Sequence, residues 1–570
     1  MWRHGLVAAG FSLLAAACGG GGDSGDTVGV QPVGEADSPS SGEPFVLDPP
    51  VAVPGTHRVK LTWHGPSTGQ TVSVWLADDM QDFHAIATGV SASAAEVDLG
   101  ASWKLDWPSA HLRLRACPGR APCIDSNAQP LVEALVAAIA KLDPEPRDQS
   151  LPPGVFSSRV ALSADGNTLA VADPLDFPST WPQPSGKGSI QVFRRCGRGC
   201  WRREARLTNF DVATSFGDPM ALSGDGRTLA VGAYDGDGPV GSENWTGGVY
   251  VFVRDEGASW RQQALLRPAQ PLANELFGYR MAIDHGGSRL VVGGVLPRIH
   301  VFARDGTSIW RQQALIEEPP TGAYLIPGRA LALSGNGRMI ASSATIPSWL
   351  QYIPAVFVYA IDAGGLWTRR ADLRGKPPMI GYSDSFGDAL SFDHAGTTLA
   401  VGEPTDYGDA SDTGNDPGNL RAPNAGAVYI FGAVGSTWQR RAFLKARNAA
   451  ANDSFGADVA LSGDGRVLLG KACGYSGNVA GVRRNHRAGT VIGQQGEGNT
   501  FGCYWGGSGY MWTQDEAGRW NHAASVIPVG TDLVSYGFFS IALSADGMTL
   551  ALGTNAYYPE RPQKSRVFVY

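Results

Sequence analysis

After residue 155 the chain repeats one short pattern seven times, and that repetition constrains its fold more than any other feature. An apolar run leads into a four-residue turn, a second apolar run ends near a Gly, an aromatic-rich third run follows, and a Trp opens a fourth. The turns are Ser163-Ala164-Asp165-Gly166, Ser223-Gly224-Asp225-Gly226, Asp284-His285-Gly286-Gly287, Ser334-Gly335-Asn336-Gly337, Asp393-His394-Ala395-Gly396, Ser462-Gly463-Asp464-Gly465 and Ser544-Ala545-Asp546-Gly547. One such four-stranded sheet cannot bury both faces alone, so the repeats must pack on one another. Short antiparallel strands repeated radially make a β-propeller. The expected fold class is therefore all-β, with a seven-bladed β-propeller over residues 131–570.

The second repeat shows the block in full: Phe216-Gly217, Met220-Ala221-Leu222, Thr228-Leu229-Ala230-Val231-Gly232, Val249-Tyr250-Val251-Phe252, then Trp260. The third has Phe277-Gly278 and the fifth Phe386-Gly387 at the same place; the first has Phe156-Ser157, the fourth Pro327-Gly328 and the last Tyr536-Gly537. Over roughly residues 150–570 this pattern resembles the FG-GAP repeat of integrin α-chain propellers and their bacterial relatives. Trp201, Trp260, Trp310, Trp367, Trp438 and Trp520 recur once per repeat, which marks them as packing residues rather than a sugar-stacking set.

Seventy-five Gly and 37 Pro punctuate the apolar runs at the intervals many hairpins need. A net charge of −7 argues against a nucleic-acid partner, which would require a basic face. At the N-terminus, Arg3 and His4 precede Leu6–Leu14, a stretch too short to span a bilayer. Ala15-Ala16-Ala17-Cys18 then resembles the lipobox of bacterial lipoproteins, with Ala15 where the family prefers Leu. That resemblance implies a signal peptide over 1–17, cleavage before Cys18 and lipidation of its thiol. Gly19 after the Cys implies the outer membrane of the cell envelope. The remaining six cysteines form three local pairs, Cys117/Cys123, Cys196/Cys200 and Cys473/Cys503, for which disulfides are the default in an oxidising compartment.

Residues 18–45 are poor in large apolar side chains and read as a flexible tether. Over 46–130, alternating runs such as Val59–Trp63, Val72–Trp75 and Leu112–Ala116 resemble a small fibronectin type III-like β-sandwich, against the alternative of an irregular cap on the propeller. The last repeat stops at its third strand, Val567–Tyr570, so a strand near Ala138–Leu142 is expected to complete it; a short helix over Leu131–Leu142 is the competing reading.

No catalytic constellation is present: His-Glu-x-x-His, Gly-x-Ser-x-Gly and the phosphate-binding loop are all absent. Asp165, Asp225, Asp464 and Asp546 stand alone in their turns. They read as hairpin formers rather than Ca²⁺ ligands, since one carboxylate cannot assemble six to eight oxygens. Asp235–Asp237 and Asp406–Asp412 read as solvated loops. No metal and no cofactor is expected. Connections between second and third strands vary most, with long insertions at 403–426 and 471–508. Variation confined to one face marks where a repeat protein recognises ligands. Tyr407, Arg484 and Trp505 are the expected binding residues for a protein or glycan ligand. The function expected is a non-enzymatic, monomeric binding or adhesion module anchored to the membrane through its lipid. The alternatives are an extracytoplasmic hydrolase of polysaccharide or ester, and a structural partner in an envelope assembly.

Overall fold

The structure is a computed structural model. It describes residues 30–32, 44–53, 58–65, 71–77, 82–90, 93–99, 109–117, 122–143, 159–173, 188–196, 200–208, 216–217, 219–234, 246–317, 330–347, 352–377, 385–412, 414, 419–473, 481–483, 507–527, 537–555 and 566–570. Cys18, the signal peptide, Arg484, Cys503 and Trp505 lie outside the described residues.

The N-terminal part forms two antiparallel sheets. In one, Arg58–His64 pairs with Val46–Leu47, Val51–Ala52 and Ala94–Asp98; in the other, Gln129–Pro130, His111–Ala116, Val72–Ala77 and His84–Val90 lie side by side. Arg58–His64 alternates, sending Val59, Leu61 and Trp63 into the core, as period-2 patterning requires. One departure from the expected tether concerns Val30–Pro32, which pairs with Ala95–Val97. That strand supplies partners for backbone groups that the edge of Ala94–Asp98 would otherwise expose.

Both readings of 131–142 hold in part. Val132–Ala138 is a seven-residue helix, and Ala140–Leu142 then pairs antiparallel with Val567–Val569. The last sheet thus takes its outer strand from the N-terminal side of the chain.

Seven sheets follow the repeats. The second is typical: Met220–Leu222, Thr228–Ala233, Gly248–Arg254 and Trp260–Leu266, in that order. The sixth departs from the four-strand pattern, because Gly481–Arg483 from the long 471–508 insertion adds a fifth strand beside Trp520–Ile527. Burial peaks at the second and third strands. Thr228–Ala233 is buried throughout, whereas three of the seven residues of Trp260–Leu266 are exposed. Second strands are buried along nearly their whole length, because both of their faces meet a neighbouring sheet.

Apolar cores are shared between consecutive sheets of the repeats. Ile190 and Val192 of the first meet Phe216, Val231 and Tyr250 of the second; Val249 and Val251 of the second meet Phe277 and Val292 of the third. The series returns to its start where Leu169 and Val171 of the first sheet meet Ala551 and Val567 of the seventh. The innermost strands touch in the same cyclic order, from Val160–Leu162 round to Gly537–Leu543 and back. The Phe of each Phe-Gly pair packs edge-to-face on the third strand of its own repeat, as in Phe216–Tyr250, Phe386–Tyr429 and Phe455–Tyr510 at 5.2–5.6 Å. The Gly lets the backbone approach the preceding sheet: a Cβ on Gly456, at φ +92°, would lie 2.3 Å from the carbonyl oxygen of Ala427.

The seven turns close a second circle, this one of backbone hydrogen bonds. Ala164 N–H donates to Gly224 O, Asp225 to His285, His285 to Gly335, Asn336 to His394, His394 to Gly463, Gly463 to Ala545, and Ala545 back to Ala164, all at 2.7–2.9 Å. Within a turn, Ser163 Oγ accepts from Thr168 N and donates to Asp165, whose Oδ1 accepts from Asn167 N. The final Gly of every turn sits at φ between 61° and 71°, where other residues are strained. The turn aspartates therefore act as caps.

Disulfides join Cys117 to Cys123 and Cys196 to Cys200, the latter closing the hairpin between third and fourth strands of the first sheet. Cys473 is also disulfide-bonded. One apolar cluster runs without a break from Leu47, Trp63 and Leu112 through Leu131 and Leu135 to Met511, Leu552 and Phe568, so the N-terminal sheets are packed on the sixth and seventh repeats.

Candidate ligand-docking face

In an up-and-down sheet, the connections from second to third strand leave at the end opposite the hydrogen-bonded turns. The connections between repeats leave at that same end. There the third repeat spends only residues 294–297 between its strands, the fifth 404–426 and the sixth 473–507.

The 404–426 connection is held by buried charge. Asp406 and Asp412 are sealed from solvent, with 1% and 0% of their side chains exposed. Lys376 Nζ donates to Asp406 Oδ2 at 2.5 Å and to Asp412 Oδ2 at 2.6 Å. Lys445 Nζ donates to Asp406 Oδ1 at 2.8 Å and to the Gly426 carbonyl at 2.6 Å. Two carboxylates thus meet two ammonium groups, as buried charges must be paired. Burial alone would push the Asp406 carboxyl up, but the charges of Lys445 and Lys376 outweigh it and hold it below the usual carboxylate range. The expectation of a solvated acidic loop is corrected for these two residues. Asp409 does face outward, with Arg421 at 3.5 Å.

The spacing of the three aspartates explains the local fold. Each accepts a hydrogen bond from the N–H two residues on: Gly408 to Asp406, Ser411 to Asp409 and Gly414 to Asp412. These are Asx turns. They carry Tyr407 to a half-buried position in the loop. Of the three expected binding residues it is the one within the described part, and Arg484 and Trp505 cannot be placed beside it. Asp235–Asp237 also lies outside the described residues.

Beside this network Asp453 is buried and accepts from Ala450 N at 2.7 Å. Burial raises its carboxyl to about 6, against weaker opposing pulls from that hydrogen bond and from Lys445. The folded pKa lies above the unfolded value of about 3.9, so folding favours the protonated form. Stability is therefore lost as pH rises from about 4 through 6, by roughly 3 kcal/mol for a shift of about two units. Asp453→Asn should remove this component, making urea stability at pH 7.5 approach that at pH 5. An unchanged pH dependence would refute the assignment.

Two further polar groups escaped the sequence reading. Asp458 begins the innermost strand of the sixth sheet, directly opposite Lys471 in register, and accepts from Ile541 N of the seventh sheet at 3.4 Å. Burial drives Lys471 down to about 8 and Asp458 up. The signal was a Lys at the end of the apolar run Leu468-Leu469-Gly470-Lys471. In the third sheet, fully buried Glu275 accepts from His300 Nε2 at 2.7 Å and from Arg298 Nη1 at 3.3 Å. His300 takes the place that Tyr250 and Tyr429 hold in other repeats and packs on Phe277. It is sealed from solvent and cannot touch a substrate.

Among the described residues no group of three or more His, Cys, Asp or Glu is arranged around a metal position, and no helix is long and apolar enough to cross a membrane. No protein-family model and no curated protein matches the chain.

Proposed function

We propose that this chain is a lipid-anchored binding module of the cell envelope, in which a seven-bladed propeller of FG-GAP-type repeats presents a docking face for a protein or glycan ligand. Cyclic contact among the innermost strands and the pairing of Ala140–Leu142 with Val567–Val569 support the propeller reading. The strand order of the N-terminal sheets supports a fibronectin type III-like module, because one sheet takes strands within residues 46–64 from before and Ala94–Asp98 from after the 72–90 hairpin of the other.

One observation carries the functional reading. The turn end is uniform, with seven turns tied by matching hydrogen bonds, whereas the opposite end holds connections of four to more than thirty residues. A repeat protein diversifies where its core is not disturbed. The buried lysines 376 and 445 fit this role, because a loop fixed before binding loses less entropy on docking. Tyr407, Arg484 and Trp505 would contact the ligand, and no catalysis is assigned. Among the described residues, the shifted pair Asp458 and Lys471 is deeply buried.

The test is capture of envelope proteins and surface glycans by the wild type, by Tyr407→Ala, and by a chain whose residues 486–502 are replaced with a short Gly-Ser linker. The expected result is a ligand held by the wild type and lost in both variants at unchanged melting temperature. Equal capture by all three moves the site elsewhere, and cleavage of a captured glycan favours the hydrolase.

A further inference from the structure

The turn circle contains two imidazoles that the repeat pattern does not require. Each turn presents its second residue beside its neighbours: Ala164, Gly224, His285, Gly335, His394, Gly463 and Ala545. Five of these are Ala or Gly, and two are His.

The two histidine turns are rebuilt in the same way. In the first turn, Ser163 and Asp165 share the capping of the hairpin. In the third, Asp284 does both jobs, accepting from Ser288 N at 2.7 Å, Arg289 N at 2.9 Å and Ser288 Oγ at 2.7 Å. In the fifth, Asp393 accepts from Thr397 N, Thr397 Oγ1 and Thr398 N. The cap carboxylate moves to the first position, the third becomes Gly286 or Ala395, and the second becomes His.

The neighbouring turns leave room for these rings. A Cβ on Gly224 would lie 2.2 Å from His285 Nδ1, and one on Gly335 would lie 2.4 Å from His394 Nδ1. The rings meet edge to face, with centroids 5.2 Å apart. Both side chains are exposed. Their backbones are fixed, since each His donates and accepts in the hydrogen-bonded circle.

We infer that His285 and His394 together bind one divalent transition-metal ion of the zinc, nickel or copper type, with water completing its coordination. Imidazole nitrogen suits these ions, whereas calcium and magnesium demand oxygen. None of the second-position side chains is a carboxylate. An exposed ring swings between rotamers within nanoseconds, so turning one ring suffices to bring a nitrogen of each to about 2.0–2.1 Å from a shared ion. The site lies at the end opposite the docking face and does not depend on that reading.

The test is calorimetric titration of the purified full chain with Zn²⁺ and Ni²⁺, together with electron paramagnetic resonance after one equivalent of Cu²⁺. The wild type is expected to bind one ion at this site, with two nitrogen donors visible in the copper spectrum. His285→Ala and His394→Ala should each weaken binding at least tenfold, match the double variant and reduce the copper signal to one nitrogen at most. His84→Ala, at a remote exposed position, should change nothing. Because the rings are exposed, the metal-free melting temperature should not move. Binding of equal strength in the double variant, or no equivalent bound by the wild type, overturns the inference.

Discussion

Deleting residues 140–142 should abolish the compact monomer, because those three residues complete the last sheet from the far end of the chain. Leu142 is buried against Val567 and Val569 in the core shared with the first sheet. Exposing it costs about 2 kcal/mol, and each lost ladder hydrogen bond adds about 1 kcal/mol. The larger consequence is an open edge: Arg566–Val569 would present unpaired N–H and C=O groups to other chains. Gel filtration should show higher oligomers, with earlier and less cooperative thermal unfolding. Lys141→Ala alters only an exposed side chain in the same strand and should behave as wild type. A monomeric deletion variant with unaltered melting would show that the seventh sheet stands without its borrowed strand.

The second large effect is expected at Asp406. Removing its carboxylate leaves Lys445, with 3% of its side chain exposed, without its charge partner and deprives Lys376 of one of two. Breaking a buried pair from one side typically costs about 3–5 kcal/mol, because the remaining charge is stranded. Asp406→Ala should fall in that range by urea denaturation at pH 7. Asp409→Ala, whose carboxylate pairs with a largely exposed Arg421, should cost under about 1 kcal/mol. The sign with pH follows from the depressed carboxyl of Asp406. Its contribution is fully present above the unfolded value of about 3.9 and is lost as pH falls below it toward the lower folded value. The wild type should therefore lose stability in that acid window more steeply than Asp406→Ala. Equal costs for the two alanine variants would mean the network carries no net stabilisation.

These two effects differ in how visible they were beforehand. The borrowed strand was readable, because the apolar segment Ala138–Leu142 precedes the first repeat where fourth strands precede later ones. The charge network was not. Lys376 and Asp406 are thirty residues apart and Lys445 thirty-nine beyond Asp406, and each alone looks like an ordinary surface residue. An acidic Gly-rich loop has the same composition whether water or lysine neutralises it. Tyr407 could be named as a candidate contact from the loop's length. Its half-buried position depends on the Asx turn at Asp406, whose carboxylate points inward.

From the sequence alone came the all-β class, the number of turns, and the positions of those turns and of Phe216, Phe277 and Phe386. These follow from local rules: period-2 burial, left-handed glycine in tight turns, and the need of a two-faced sheet for neighbours on both sides. Only the tertiary structure decided what backbone groups do between repeats. The hydrogen bonds linking the seven turns involve Ala, Gly, His and Asn alike, so no side-chain pattern encodes them. It likewise decided that Val30–Pro32 and Gly481–Arg483 extend existing sheets. Three-residue strands carry too little periodicity to be seen, and they form because a neighbouring edge offers hydrogen bonds. The same holds for the meeting of His285 and His394. Each belongs to its own repeat, and only closure of the circle brings the two rings within 5.2 Å.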